Sequence, residues 1–264
     1  MRRFHLTHFL PTLLLIASQI LGSFVIHLCI GDSSHSIERV TTISLALVSS
    51  YLLVILVAPR IPNWIRKENP YFLRGTGWGL SLLGLVAVAL GIAATNLLSE
   101  LLQLPDLLQE DQFALAVHPL GILSITLLAP LGEELLFREA TLGRMLRNGI
   151  RPWPALLASS LLFGVVHLNP AQIFPATLIG LLLGILYYRT GSLLLPTLLH
   201  SLNNGMAVMQ VWSMGEEIKS FSLIEWLGGP LVTLPLTIAL TVGCVVLLRL
   251  FWQHTHPSYT GAIE

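Results

Sequence analysis

The chain has 264 residues, of which 54% are hydrophobic and only 11% are charged, and its formal net charge is zero. This composition excludes an ordinary soluble globular domain. It also argues against a nucleic-acid partner, which would require a concentrated basic face. We therefore expect an all-α polytopic protein whose surroundings are the lipid bilayer.

Apolar runs near the length of about 20 residues that a membrane-spanning helix needs recur along the chain. We predict about eight transmembrane helices in a single membrane domain over residues 1–264. They lie near residues 10–30, 40–58, 77–98, 114–137, 154–168, 173–188, 192–212 and 227–252. The fifth and sixth runs are short, and the first is too long for the core of a signal peptide.

The distribution of basic residues predicts how these helices are oriented. If the N-terminus is cytoplasmic and the eight segments alternate, every Lys and Arg except Arg39 and Lys219 lies on the cytoplasmic side. Basic residues are enriched in cytoplasmic loops. We therefore predict an integral protein of a bacterial-type cell membrane with both termini in the cytoplasm.

Two adjacent acids and an arginine lie at the end of the fourth apolar segment. Glu134 and Arg138 are four residues apart and can pair on one helix face, whereas Glu133 points about 100° away. Taken alone, both acids could be interfacial, with Arg138 as the first cytoplasmic base about 7 Å beyond them. We interpret Glu139, which follows directly, as a solvated loop charge.

Histidines occur in two of the later apolar segments. His167 follows Phe163 by one helical turn, and Gly164 between them would allow a neighbouring helix to approach closely. His200 precedes Asn204 by one turn, so both side chains point to the same side of a helix. A lone histidine in an apolar helix is more often hydrogen-bonded packing than a catalytic group.

Together these groups could catalyse hydrolysis, because ionisable side chains in a bilayer are costly unless they meet one another. We predict Glu133 as the general base, with His167 helping to hold or activate water. His200 and Asn204 would donate hydrogen bonds to the developing oxyanion. Glu134 completes the predicted catalytic set.

The three motifs are Glu133-Glu134 with Arg138, Phe163 with His167, and His200 with Asn204. In this order they resemble the CAAX protease and bacteriocin-processing (CPBP, or Abi) family of intramembrane endopeptidases. The resemblance covers residues 114–212, the predicted catalytic core. It implies an intramembrane cavity open to the cytoplasm, with Arg138 and Phe163 in supporting roles. It also implies cleavage of a membrane-associated protein, such as a prenylated CAAX-type or bacteriocin-like substrate.

Simple counting along the helices does not place these groups at one depth. Measured from the nearest cytoplasmic boundary, Glu133 lies about 7 Å and His167 about 20 Å into the membrane. If they meet, we expect the fifth helix to start recessed or to tilt, and Arg138 to lie inside the cavity, paired with Glu134.

The need for a metal and the class of function stay open at this point. Glu133, His167 and His200 could ligate zinc with water at an open position, although no His-Glu-x-x-His pair is present. We favour a metal-free site without a required cofactor. The alternatives are a transporter that uses the same groups as an ion path and a non-catalytic immunity or scaffold protein.

Overall fold

A computed structural model describes residues 5–30, 36–66 and 76–257, and within these ranges the chain is helical and contains no strand. The helices are α1 (Leu10–Ile30), α2 (Ser36–Val57), α3 (Trp78–Leu102), α4 (Gln109–Val117), α5 (Pro119–Arg147), α6 (Pro152–Val165), α7 (Pro170–Thr190), α8 (Leu194–Met214) and α9 (Pro230–His254). Short helical turns span Leu6–Phe9, Ala58–Arg60, Gly215–Lys219 and Leu223–Trp226. The predicted all-α fold is confirmed.

Within the described residues, five helices are long and apolar enough to cross a membrane, namely Arg39–Arg60, Trp78–Leu102, Pro119–Arg147, Pro170–Thr190 and Pro230–His254. Two shorter apolar helices, Thr7–Leu21 and Pro152–Val165, accompany them. The protein is therefore a multi-pass integral membrane protein. Each of the eight predicted segments overlaps a helix, but eight membrane crossings remain a prediction.

Helix α5 lies at the centre of the bundle and is longer than predicted. It continues ten residues beyond Phe137, and the nine residues from Leu135 to Gly143 are all buried. Glu133 is the middle residue of this 29-residue helix, about 21 Å from either end at 1.5 Å per residue. Counting along the helices made Glu133 and His167 seem to lie at different depths because Arg138 was taken as the membrane boundary. Arg138 in fact lies inside the protein and is 0% exposed.

Small residues allow the helices around α5 to approach one another closely. A Cβ atom at Gly164 on α6 would lie 2.0 Å from Thr177 Oγ1 on α7, so only glycine fits at this contact. The predicted close approach at Gly164 is confirmed. Such contacts matter in a bilayer because apolar burial does not drive helices together there and packing must do so.

The bundle has two polar ends, which we call the acidic end and the basic end. The acidic end comprises residues 103–118 and 215–229, and Lys219 joins the two segments by an ion pair with Glu110 at 2.7 Å. The basic end comprises residues 58–66, 144–152 and 189–193. There Arg147 donates to the carbonyl of Trp64 at 2.8 Å, and Arg66 donates to the carbonyl of Gly191.

Candidate active site

Glu134 and Arg138 form a fully buried ion pair on α5. Arg138 Nε donates to Glu134 Oε2 at 2.8 Å and its Nη2 to Oε1 at 3.2 Å, and both side chains are 0% exposed. The predicted pairing at i and i+4 is confirmed, and Arg138 is not a cytoplasmic surface residue. His200 on α8 places its Nδ1 3.1 Å from the same carboxylate. Glu134 therefore connects α5 to α8 and orients the imidazole.

Glu133 differs from its neighbour because one of its oxygen atoms remains accessible. Its Oε1 accepts a hydrogen bond from the hydroxyl of Tyr51 on α2 at 2.6 Å. Its Oε2 lies 3.8 Å from His200 Nε2. Gly132 makes room for this arrangement, since a Cβ atom there would lie 3.0 Å from Tyr51 Cδ1. The carboxylate is thus held at one oxygen and free to bind water at the other.

His167 does not lie in a helix, contrary to the predicted segment 154–168. Helix α6 ends at Val165, and Leu168 has a φ of 52° in the left-handed region. Asn169 is extended because it precedes Pro170, and a residue before proline avoids the helical region. His167 therefore occupies the turn between α6 and α7. Its Nδ1 lies 2.8 Å from the carbonyl of Phe163, which leaves Nε2 for other partners.

Phe163 contacts both histidines of the site as well as Phe137 and Arg138. Its ring makes edge contacts with His167 and His200 at centroid distances of 5.3 and 5.6 Å and with Phe137 at 5.2 Å. Arg138 Cζ lies 4.8 Å from the centroid of the same ring. The ring of Phe163 thus packs between the two imidazoles and the guanidinium and helps to fix their positions, which fits a supporting role.

Asn204 is placed by an irregularity in α5. Residues Ser124–Leu128 form a π-helical turn, in which the N–H of Ala129 bonds to the carbonyl of Ser124. The carbonyl of Ile125 would next need a donor at Pro130, which has no N–H. Asn204 Nδ2 supplies it at 3.0 Å and satisfies this carbonyl. One of its two amide hydrogens remains for a ligand.

Asn203 points away from the site, as its position in the helix predicts. Its Oδ1 accepts a hydrogen bond from Asn96 Nδ2 on α3 at 3.0 Å, and its own Nδ2 lies 3.4 Å from Asn204 Oδ1. The choice of Asn204 over Asn203 as the site residue therefore agrees with the helix phase. Asn203 joins α8 to α3.

Two cavities meet at the turn after α6. The main cavity, of about 400 Å³, is lined by Glu133, His167, His200 and Asn204 together with residues of the acidic end, among them Asp106, Gln109, Phe113 and Lys219. The side cavity, of about 440 Å³, lies against α1 and α2 and is lined by Leu15, Leu47, Tyr51, Glu133 and His167. Glu133 and His167 line both cavities and so lie between them.

Four of the five predicted catalytic residues therefore share one cavity. Glu134 does not line either of these two cavities, because its oxygens are engaged by Arg138 and His200. The contacts of Glu134 therefore fit a positioning role, and Glu133 is the carboxylate of the pair that lines the cavity. The zinc set of Glu133, His167 and His200 has no support from the geometry, since no three His, Cys, Asp or Glu side chains in the described ranges form a group that could hold a metal ion.

Two features of the buried polar structure were missed in the sequence. Tyr51 was not singled out, although a hydroxyl in the middle of the apolar α2 needs a partner and could have drawn attention. The interpretation of Glu139 as a solvated charge is wrong, because its side chain is 0% exposed. It pairs with Arg66 Nε at 3.3 Å and Arg147 Nη1 at 2.6 Å, and the hydroxyl of Tyr187 donates to it.

Comparison with known proteins agrees with the sequence motifs. Residues 115–206 match the family model described as type II CAAX prenyl endopeptidase Rce1-like. An Escherichia coli protein named "uncharacterized 24.3 kDa protein" is 41% identical over 88 residues, which cover 31% of this chain and 39% of that protein. No solved structure matches the chain. The family match contains all three motifs, so the resemblance to the CAAX protease family is confirmed over this region.

Proposed function

We propose that this integral membrane protein, whose residues 115–206 belong to the Rce1-like type II CAAX prenyl endopeptidases, hydrolyses a peptide bond of a membrane-associated substrate in the main cavity. The observation that carries the proposal is the state of Glu133. Its carboxylate lies at mid-depth of a membrane helix with one oxygen bound by Tyr51 and the other near His200 and the cavity. A general base requires such a free basic oxygen beside space for water and substrate.

The first step is attack by water on the scissile carbonyl. Glu133 takes a proton from a water molecule in the cavity as the water oxygen forms a bond to the carbonyl carbon. His167 uses its Nδ1–H for the carbonyl of Phe163, so its Nε2 is left to orient the same water. Because Glu133 and His167 line the same cavity wall, both can act on one water molecule.

The developing oxyanion needs hydrogen-bond donors already in place. Asn204 offers its second amide hydrogen, since the first is used by the carbonyl of Ile125. His200 directs Nδ1 to Glu134, so donation from Nε2 requires the ring to carry both protons, with Glu134 as counter-charge. When the C–N bond breaks, protonated Glu133 returns its proton to the leaving amine.

We propose that the reaction requires no metal. The side chains that line the main cavity include one carboxylate and two imidazoles near its inner wall, but they do not form a metal-binding group. The test is a chelator titration of purified protein. Peptide release should be unchanged by EDTA or 1,10-phenanthroline, and a loss of activity that added zinc reverses would contradict the metal-free mechanism.

The proposed activity can be tested without knowing the substrate in advance. Peptides released from membranes that contain the wild-type chain are compared by mass spectrometry with those from membranes that contain Glu133→Gln. Peptides found only with the wild type are then synthesised and used with purified protein.

Glu133→Gln and His167→Ala should each remove cleavage of such a peptide, while the control Glu225→Gln, at an exposed acid outside the cavity, should cleave at the wild-type rate. Unchanged cleavage by Glu133→Gln would overturn the assignment of the base. A wild-type protein that releases no peptide at all would overturn the protease and leave a non-catalytic membrane protein.

A further inference from the structure

We propose that Asn169 and Asp106 are positioning residues, which hold the turn after α6 so that the imidazole of His167 lines the main cavity. The consequence for turnover rests on the proposed function, whereas the placement of the imidazole does not. The argument uses the backbone of the turn and the hydrogen bonds that join it to residues 103–108, the connection between α3 and α4.

The backbone next to His167 is in an unfavourable conformation. Leu168 has a φ of 52°, in the left-handed region, where a residue with a bulky side chain is rarely found. Such a conformation persists only where the surrounding structure holds it. The side chain of Leu168 is 74% exposed, so its own packing contributes little to holding the turn. The restraint must come from the residues that follow.

Asn169 supplies this restraint. Its side chain is buried, and both of its polar groups bond to the connection after α3: Nδ2 donates to Asp106 Oδ1 at 2.8 Å, and Oδ1 accepts from the N–H of Leu107 at 3.1 Å. An asparagine directly before a helix usually bonds to N–H groups of the first helical turn instead. Asn169 directly precedes α7, but its amide serves the tertiary contact and not the helix end.

The connection after α3 is itself fixed around Asp106. Asp106 Oδ1 also accepts from the N–H of Leu108 at 3.0 Å, which is a common arrangement of aspartate in turns. The backbone adds a further bond across the contact, because the N–H of Ala171 donates to the carbonyl of Pro105 at 3.2 Å. The connection and the turn are thus joined through both side chains and backbone.

This contact determines where the imidazole of His167 lies. The ring is placed by two neighbours, the carbonyl of Phe163 at 2.8 Å from Nδ1 and the ring of the same residue at a centroid distance of 5.3 Å. If the turn relaxes at Leu168, the backbone of His167 shifts relative to both. A misplacement of a catalytic group by about 1 Å can cost about 10²-fold in rate. Turnover should therefore depend on Asn169, although this residue does not line the main cavity.

Exchanging the two side chains tests the contact. Asn169→Asp places a second carboxylate against Asp106, and two like charges repel each other. In the double variant Asn169→Asp with Asp106→Asn, the amide at position 106 donates to the carboxylate at position 169, which still accepts from the N–H of Leu107. Asp111→Asn is the matched control, because it removes an acid of the same end that pairs with Arg39 and lies outside the main cavity.

Cleavage of an identified peptide by purified full-length protein is measured per folded molecule. In Asn169→Asp, kcat should fall by about 10–100-fold and KM should change by less than about threefold, because the imidazole is misplaced while the cavity is kept. The double variant should recover kcat to within about threefold of wild type, and Asp111→Asn should equal wild type. If Asn169→Asp does not fold, Asn169→Ala takes its place, since it removes the same bonds without adding a charge.

The placement of the imidazole is measured without a substrate. Spectra of ¹⁵N-histidine-labelled protein at alkaline pH distinguish the two neutral forms of each imidazole, and the variants His167→Gln and His200→Gln assign the signals. His167 should carry its proton on Nδ1 in the wild type, because this atom faces the carbonyl of Phe163. Asn169→Asp should convert this signal to that of a mixture of forms, and the double variant should restore it. The His200 signal should be the same in all variants.

The two measurements separate this proposal from the proposed function. An unchanged His167 signal in Asn169→Asp or in its replacement Asn169→Ala would overturn the positioning role. Altered signals of both histidines that the double variant does not restore would also overturn it, since they would show a general structural role. The expected signals in a chain that cleaves no peptide would overturn only the protease. Cleavage by the wild type with an unchanged kcat in Asn169→Asp would overturn only the positioning role.

Discussion

Helix α5 carries buried acids at two places, Glu133 with Glu134 and, six residues after Glu133, Glu139. The two places differ in how the negative charge is compensated. Glu139 is surrounded by Arg66, Arg147 and Tyr187, and both of its oxygen atoms are engaged. Glu133 has no arginine of its own, since Arg138 binds Glu134, and its Oε2 lies 3.8 Å from the nearest imidazole nitrogen. The charge of Glu139 is balanced by arginines, and neither of its oxygen atoms is left without a partner. Glu133 and Glu134 share one arginine, and Glu133 also lines the cavity.

This difference distinguishes Glu139, a structural acid, from Glu133, which we propose as the general base. The Glu139 cluster joins α5 to the segment after α2 and to α7, and its ions have little reason to change partners. The Glu133 group is held by neighbours that fix its position but leave one oxygen beside the cavity. Burial alone therefore does not distinguish the two acids. The incomplete set of partners around Glu133 is the reason for proposing it as the base.

The largest expected effect comes from Glu133→Gln. The amide keeps the shape and the contact with Tyr51 but cannot accept a proton from water, so kcat/KM should fall by about 10²–10⁴-fold, the usual contribution of a general base. The measurement is cleavage of an identified peptide by purified protein, with the folded fraction determined in parallel. A comparable loss of kcat/KM per folded molecule in Glu139→Gln would break the distinction between the two groups.

Glu139→Gln should act on stability instead. It removes the carboxylate that pairs with Arg66 and Arg147, and removal of one partner from a buried ion pair costs about 3–5 kcal/mol. The measurement is the free energy of unfolding in detergent, compared with Glu133→Gln, which removes no carboxylate bound to an arginine. Adding Arg147→Met to Glu139→Gln should recover part of the loss, because it removes an unpaired cation. No recovery would mean that Glu139 stabilises the fold by another route.

A third comparison uses the tyrosine in each group. Tyr51→Phe removes the 2.6 Å hydrogen bond to Glu133, and a hydrogen bond to a charged group contributes about 1.5–3 kcal/mol, so kcat should fall by about 10–100-fold with little change in KM. Tyr187→Phe removes the equivalent bond to Glu139 and should lower stability while kcat per folded molecule is maintained. Equal effects of both substitutions on kcat would show that Tyr51 has no specific positioning role.

The smallest expected effect concerns the neighbouring asparagines of α8. Asn204→Ala removes the proposed oxyanion donor and frees the carbonyl of Ile125, so kcat should fall by about tenfold, the equivalent of one hydrogen bond. Asn203→Ala removes the contact with Asn96 and the long 3.4 Å contact with Asn204 Oδ1, and it should leave kcat within about twofold of wild type. A larger loss of kcat in Asn203→Ala than in Asn204→Ala would mean that Asn203, and not Asn204, faces the substrate.

Much of the architecture could be read from local sequence, because the signals for a membrane helix are local. Apolar runs of sufficient length predict the helices, and the spacing of four residues predicts the pairing of Glu134 with Arg138 and the choice of Asn204 over Asn203. The end of α6 was placed too late, because the left-handed conformation of Leu168 and the influence of Pro170 were not weighed. The end of α5 was placed too early, because charges were equated with the membrane surface.

The sequence by itself determined that this is an all-α membrane protein with three motifs of an endopeptidase family, since composition and short spacings specify both. Only the tertiary structure decided which acids are neutralised and which side chains line the same cavity. The partners of Glu133 and Glu139 come from α2, α7, α8 and the segment after α2, up to 82 residues away in the chain. Contacts at such distances depend on how whole helices pack, and no local pattern of residues encodes them.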